Sequence, residues 1–169
     1  MRVLALDIAN HTGWAWGEPG SPPKGGTLEV GADQGELGKA FYDYENVLAG
    51  LLDKLGSPQV IAYEAPLTQI KGRPAINSSV TSQRLLGLIA ITQMLGYAYG
   101  ARMLPCQITA VRQHFCGSRS ATKDEVWRRC LQCGWRPVNL DEADALATWD
   151  YAQGKLKAEA LGARRVGRL

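Results

Sequence analysis

The stretch Arg2-Val3-Leu4-Ala5-Leu6-Asp7-Ile8 is a short apolar run with one acid near its end, closed by the polar turn Ala9-Asn10-His11-Thr12-Gly13. Such a run, bounded by turn residues, reads as a strand buried on both faces of a sheet. A lone carboxylate is expensive in that setting, so Asp7 needs a partner, and the functional partner is a metal ion. An Asx-turn with Asn10 is the structural alternative.

Outward from this strand, Trp14-Ala15-Trp16-Gly17 reads as a second strand and Thr27-Leu28-Glu29-Val30 as a third. The Pro- and Gly-rich segment Glu18 to Gly26 between them is a loop. The two tryptophans read as hydrophobic packing rather than base-stacking surface. Leu37, Phe41, Tyr44, Leu48, Leu51, Leu52 and Leu55 repeat at spacings of three and four, which predicts an amphipathic helix stopped by Gly56-Ser57-Pro58. Gln59 to Glu64 is a fourth strand, cut off by Pro66. A helix between two apolar strands implies a crossover and a parallel pairing.

Leu67 to Ser79 has no clean period and reads as a mobile basic loop containing Lys71 and Arg73. Val80 to Tyr97 predicts a helix that is apolar on more than one side, through Leu85, Leu86, Leu88, Ile89, Ile91 and Leu95. One side packs on the sheet, and the surplus predicts a homodimer contact. Ala101 to Leu104 is a fifth strand ended by Pro105, and Gln107 to Ser120 is mixed. Helices follow at Thr122–Cys133 and Asp141–Lys155. Residues 1–155 thus form one α/β domain with a five-stranded mixed sheet, and 156–169 a basic, flexible tail.

Composition narrows the class. With 169 residues and 46% hydrophobic content the chain supports a sizeable single core. No secretory signal is visible, since Arg2 leads into only four apolar residues before Asp7. Leu85 to Ala101 approaches the length of a membrane span, but Thr92 and Gln93 in its middle, with Gly87 and Gly96, favour a buried helix. A cytoplasmic protein is expected. The net charge of +3 hides an asymmetry: residues 1–64 carry four basic and nine acidic side chains, whereas 65–138 carry ten basic and two acidic. A basic excess of that size suits a polyanion, with a solvated basic surface as the alternative.

The four cysteines lack a disulfide framework, which favours a reducing compartment. Cys130 and Cys133 form a CxxC, yet Val126, Cys130 and Cys133 fall on one helical stripe, so both thiols are expected in the core rather than on zinc.

Four acids stand out. Three strands, helix, strand, helix, strand and then helices is the order of a ribonuclease H-like fold, in which the first and fourth strands are neighbours. Asp7 and Glu64 then sit at the carboxyl ends of adjacent parallel strands, the usual site in an open α/β sheet. Asp141 and Asp144 share a helix face, while Glu142 points elsewhere. Carboxylates brought together cannot all stay ionised without a cation, and hard oxygen donors select Mg²⁺ or Mn²⁺. Each acid also has a structural reading: Glu64 as a solvated strand end, Asp141 and Asp144 as first-turn partners of a helix dipole.

The order Asp7, Thr12-Gly13, Glu64 and Asp141-x-x-Asp144-Ala145-Leu146-Ala147 resembles the Holliday junction resolvases of the RuvC type, from bacteria or their viruses. Val111-Arg112-Gln113 through Gly117, then Ala121-Thr122-Lys123-Asp124-Glu125-Val126, is similar to that family's segment before its last helix. The resemblance implies a homodimeric endonuclease that binds four-way junctions and makes paired symmetric nicks, nucleoid-associated in the cytoplasm, or in the host cytoplasm if a bacteriophage encodes it. It implies metal ligation by Asp7, Glu64, Asp141 and Asp144, with Lys123 and Arg112 near the scissile phosphate. Lys71, Arg73, Arg84, Arg112, Arg119 and Lys123 are the expected DNA contacts. The family's aromatic wedge after the strand-four Glu has no counterpart, since Leu67 and Ile70 occupy that region and no Phe or Tyr lies between 64 and 96. A non-catalytic binder of branched nucleic acid with the same fold is the second reading. An actin-like phosphotransferase would need a related second domain for which 169 residues leave no room.

Overall fold

Alternation along β1 (Val3–Asp7) sorts the molecule into two layers. Val3 and Ala5 point to one face, Leu4 and Leu6 to the other, and all four are fully buried. The computed structural model describes residues 1–30, 36–66, 69–70, 73–74 and 79–166, with 69–70, 73–74 and 164–166 described by backbone alone. β1 is the middle strand of five, in the order β3 (Lys24–Glu29), β2 (His11–Gly17), β1, β4 (Val60–Glu64), β7 (Arg102–Cys106). β2 runs antiparallel to β1 and β3, whereas β4 runs parallel to β1 and β7. This is the mixed sheet and strand order expected of a ribonuclease H-like fold.

The Leu4 and Leu6 face is covered by α1 (Leu37–Leu55) and α2 (Val80–Ala98). Tyr44, Leu48, Leu51 and Leu52 of α1 are buried there, as the three-and-four spacing predicts. Trp14 and Trp16 pack half-buried against the same core. The Val3 and Ala5 face is covered by α3 (Ile108–Cys116), α4 (Lys123–Gln132) and α5 (Leu140–Val166). Ala143, Ala145 and Ala147 of α5 share one core with Ala5, Ala15 and Ala62 of the sheet, and small residues on both sides let the layers approach closely. No helix of the described residues is long and apolar enough to cross a membrane.

Several local expectations are corrected. β2 begins at His11 and β3 at Lys24, so the connecting loop is shorter than the sequence suggests. Pro105 does not end its strand: it sits within β7, opposite Tyr63. β7 is an edge strand, and Arg102 donates to Gln59 across the ladder. By alternation the missing N–H of Pro105 faces away from β4 and costs no ladder bond. The mixed segment contains α3, and the last helix runs to Val166 rather than stopping near Lys155. Cys130 is buried but Cys133 is exposed, because α4 stops at Gln132 and Cys133 caps it ahead of a left-handed Gly134. Where an irregular basic loop is expected, β5 (Gln69–Ile70) and β6 (Arg73–Pro74) pair antiparallel as a two-stranded ladder. Lys71 lies outside the described residues, as does the side chain of Arg73.

Candidate active site

The period of two that buries Val3 and Ala5 carries on to Asp7, and the same parity in β4 takes Val60 and Ala62 on to Glu64. Both carboxylates therefore emerge at the carboxyl ends of neighbouring parallel strands, on the face covered by α5. The first turn of α5 brings Asp141 and, one turn on, Asp144. Asn139 fixes where that helix starts: its side-chain oxygen accepts from the Glu142 N–H at 2.9 Å, and its amide donates to Thr27 Oγ1 at 2.7 Å. Glu142 is buried, and its carboxylate accepts from the Val138 N–H at 2.8 Å. That is a structural task on the far side of the helix from Asp144.

Gly13 makes the approach of α5 possible. A Cβ at this position would overlap the Asp141 carbonyl group, so only a residue without a side chain lets the helix start lie against β2. Thr12, fully buried beside it, donates to the Ala9 carbonyl at 2.7 Å and accepts from the Ala9 N–H at 3.3 Å, pinning the turn after Asp7. Tyr44 links this turn to the helical layer: its hydroxyl interacts with Thr12 and lies 2.9 Å from Thr92 Oγ1. Thr92 in turn donates to the Leu88 carbonyl. The Thr-Gly pair is plain in the sequence, but its purpose is legible only once α5 is in place.

Lys123, the first residue of α4, reaches into the acids. Its ammonium lies 3.0 Å from Asp144 Oδ2, 3.1 Å from Asp141 Oδ1 and 3.8 Å from Asp7 Oδ2. The direction of α4 is set by a capping box. The Thr122 hydroxyl accepts from the Glu125 N–H, and the Glu125 carboxylate accepts from the Thr122 N–H at 2.7 Å.

The electrostatics are those of a carboxylate cluster short of positive charge. Burial, reinforced by Asp144 and opposed by Lys123, pushes the Asp7 carboxyl from 3.8 up to about 7. Burial and then Asp144 raise Glu64 against the pull of Arg112 and Lys123. Burial also raises Asp144, whose side chain is only 6% exposed, although Lys123 and Arg112 draw it back. Lys123 moves the other way. Burial works against its charge, but the hydrogen bond and charge of Asp144, with Asp7 and Asp141, hold the ammonium above its ordinary range.

Arg112, on α3, is the second cation of the site. Its Nε is buried and has no hydrogen-bond partner among the described residues. Arg84 is buried on α2, where it lines a cavity of about 480 Å³ together with Asn10, His11, Thr81, Leu88 and Asp141. Arg119 is exposed in the turn between α3 and α4 and pairs with none of the four acids. Among the described residues no three His, Cys, Asp or Glu side chains form a ready-made metal cage. Lys123 stands among the carboxylates instead. The donor set is nonetheless all oxygen and short of positive charge, which is the chemistry of a hard divalent cation.

No protein-family model matches the sequence, and no curated protein is significantly similar to it. Solved structures do match. The Thermus thermophilus RuvC structure is 18% identical over 88% of this chain and 90% of that one, with a TM-score of 0.66. Thermus thermophilus RuvC in complex with Holliday junction substrate is 17% identical over 92% and 96%, with a TM-score of 0.72. The yeast mitochondrial Holliday junction resolvase Ydc2 is 14% identical over 98% and 84%, with a TM-score of 0.63. The chain has the ribonuclease H-like fold of the RuvC-type resolvases over nearly its whole length.

Proposed function

We propose that the protein is a metal-dependent, structure-selective DNA endonuclease that resolves four-way junctions by paired symmetric nicks, acting as a homodimer. The observation that carries this reading is the convergence of Asp7, Asp141 and Asp144 on the Lys123 ammonium, with Glu64 electrostatically coupled to Asp144. The fold shared with a RuvC solved on a Holliday junction substrate supports branched DNA as the ligand.

Asp7, Glu64, Asp141 and Asp144 would hold Mg²⁺, with Mn²⁺ able to substitute. When bound, such an ion acidifies a water and neutralises phosphate oxygens, the requirement for hydrolysis that leaves a 5′ phosphate and a 3′ hydroxyl. Lys123 and Arg112 supply positive charge where negative charge builds on the phosphate in the transition state. Arg112 suits this role because one of its donors is buried without an acceptor among the described residues. The basic middle of the chain, with Lys71, Arg73 and Arg119, would grip backbone phosphates and position the duplex arms without reading sequence.

A two-fold symmetric junction calls for two sites. Leu86, Met94 and Tyr97 are exposed on α2, within about 80° of one another at 100° per residue. Such an apolar stripe supports pairing with a second copy.

The test is incubation of the purified protein with a synthetic four-way junction and, separately, a linear duplex of the same sequence, with Mg²⁺ or Mn²⁺. Junction-specific nicks are expected, lost in Asp144→Asn while junction binding persists. Junction binding without cleavage under any divalent ion would leave a non-catalytic binder of branched DNA and refute the nuclease.

A further inference from the structure

We propose that Lys123 is the displaceable internal cation of the site, holding Asp7, Asp141 and Asp144 together until a divalent ion takes over their charge. The displacement half rests on the metal-dependent reading above; the counter-ion half stands on the geometry alone.

Lys123 occupies the first turn of α4, where the helix dipole and the exposed N–H groups favour anions, and Asp124 and Glu125 follow that rule. A cation placed there gains nothing from its own helix, so its position answers to what faces it across the gap. Three carboxylates from two other elements, β1 and α5, face it within 3.0–3.8 Å. The stem is anchored, because the capping box fixes the start of α4 and Val126 and Cys130 are buried beneath α5. The head is less fixed: the side chain is 45% exposed, so the ammonium has a path into solvent or toward a bound phosphate. One ammonium satisfies three carboxylates in geometry but supplies a single positive charge. A divalent ion at the same oxygens supplies two and would repel the lysine. This also accounts for the lack of a three-residue metal cage among the described residues: the carboxylates are oriented on the ammonium.

The experiment combines three measurements. Thermal melting in EDTA compares wild type with Lys123→Met and Lys123→Arg. Calorimetric titration with Mn²⁺ gives the affinity of each. Amine acylation of wild-type protein followed by mass spectrometry gives the labelling rate of Lys123 with and without Mn²⁺. Lys123→Met is expected to melt several degrees lower in EDTA. It is also expected to bind Mn²⁺ at least about tenfold more tightly, since a like charge a few ångströms away is gone. Lys123→Arg stays near wild type in both, and labelling of Lys123 speeds up when Mn²⁺ is added.

An unchanged melting temperature in Lys123→Met would overturn the counter-ion. Equal or weaker Mn²⁺ binding in that variant, or labelling indifferent to Mn²⁺, would overturn the displacement. If Mn²⁺ binds neither wild type nor Lys123→Met, displacement and the metal-dependent nuclease fall together. If Mn²⁺ binds, the junction is cut and Lys123→Met has wild-type affinity, only the displacement falls. The labelling arm uses wild-type protein and is unaffected by a variant that fails to fold.

Discussion

Asp7→Asn in metal-free protein tests whether burial and Asp144 place the β1 carboxylate under electrostatic stress. Burial and Asp144 raise its folded-state pKa from 3.8 to about 7. An acid raised on folding binds its proton more tightly in the folded state. Its favourable contribution is therefore complete below about 3.8 and is lost as pH rises through about 7. The full gap corresponds to about 4 kcal/mol at 1.36 kcal/mol per pH unit. Side-chain relaxation toward water lowers that, and about 2 kcal/mol of it develops between pH 5 and pH 8. Asparagine has no charge to desolvate and is free of this dependence. In EDTA, the melting temperature of wild type is expected to fall relative to Asp7→Asn as pH rises from 5 to 8, by about 4–8 °C at 2–4 °C per kcal/mol. Saturating Mg²⁺ at pH 8 should raise wild type much more than the variant. A gap between the two proteins that stays constant from pH 5 to 8, or that moves the other way, would refute the reasoning.

Three further outcomes follow from the packing. Gly13→Ala forces a methyl group into the Asp141 carbonyl, so it is expected to cost about 3 kcal/mol in urea unfolding and to impair cutting beyond the loss of folded protein. Tyr44→Phe removes the hydroxyl shared with Thr92 and Thr12, and chemical denaturation should show a loss of about 1 kcal/mol, with the far-UV spectrum unchanged. Met94→Asp puts a charge on the exposed stripe of α2; sedimentation should show a shift from dimer to monomer with little change in monomer stability, and a wild type that is already monomeric would remove the dimer.

Much of the site was legible because two simple periods define it. A period of two along Val3, Ala5, Asp7 and along Val60, Ala62, Glu64 places both acids on the α5 face. The three-residue spacing of Asp141 and Asp144 puts both within reach of one ammonium. What escaped the sequence depends on contacts distant along the chain or on left-handed glycines. The seat that Gly13 provides for Asp141 exists only after α5 docks. α3 rests on two fully packed anchors, Val111 and Phe115, before Gly117 turns left-handed, too short a pattern to show as a period. The left-handed Gly134 ends α4 at Gln132, so Cys133 sits on the cap and is exposed although it falls on the stripe of Cys130. Beyond Leu156 the last helix has no buried side chain among the described residues to mark it, and Ala158, Ala160 and Leu161 extend it by intrinsic propensity.

The placement of Pro105 bears on how copies of this chain can meet. A bare sheet margin is a template on which a neighbour's backbone can add, the usual beginning of strand-by-strand polymerisation. At β7 that template lacks a donor at Pro105, and the Arg102 side chain is held by Glu159 of α5 in a two-pronged ion pair at 2.8 and 3.2 Å. Growth along that margin is therefore discouraged, and a contact made through helical surfaces instead can close into a pair rather than run on into fibres.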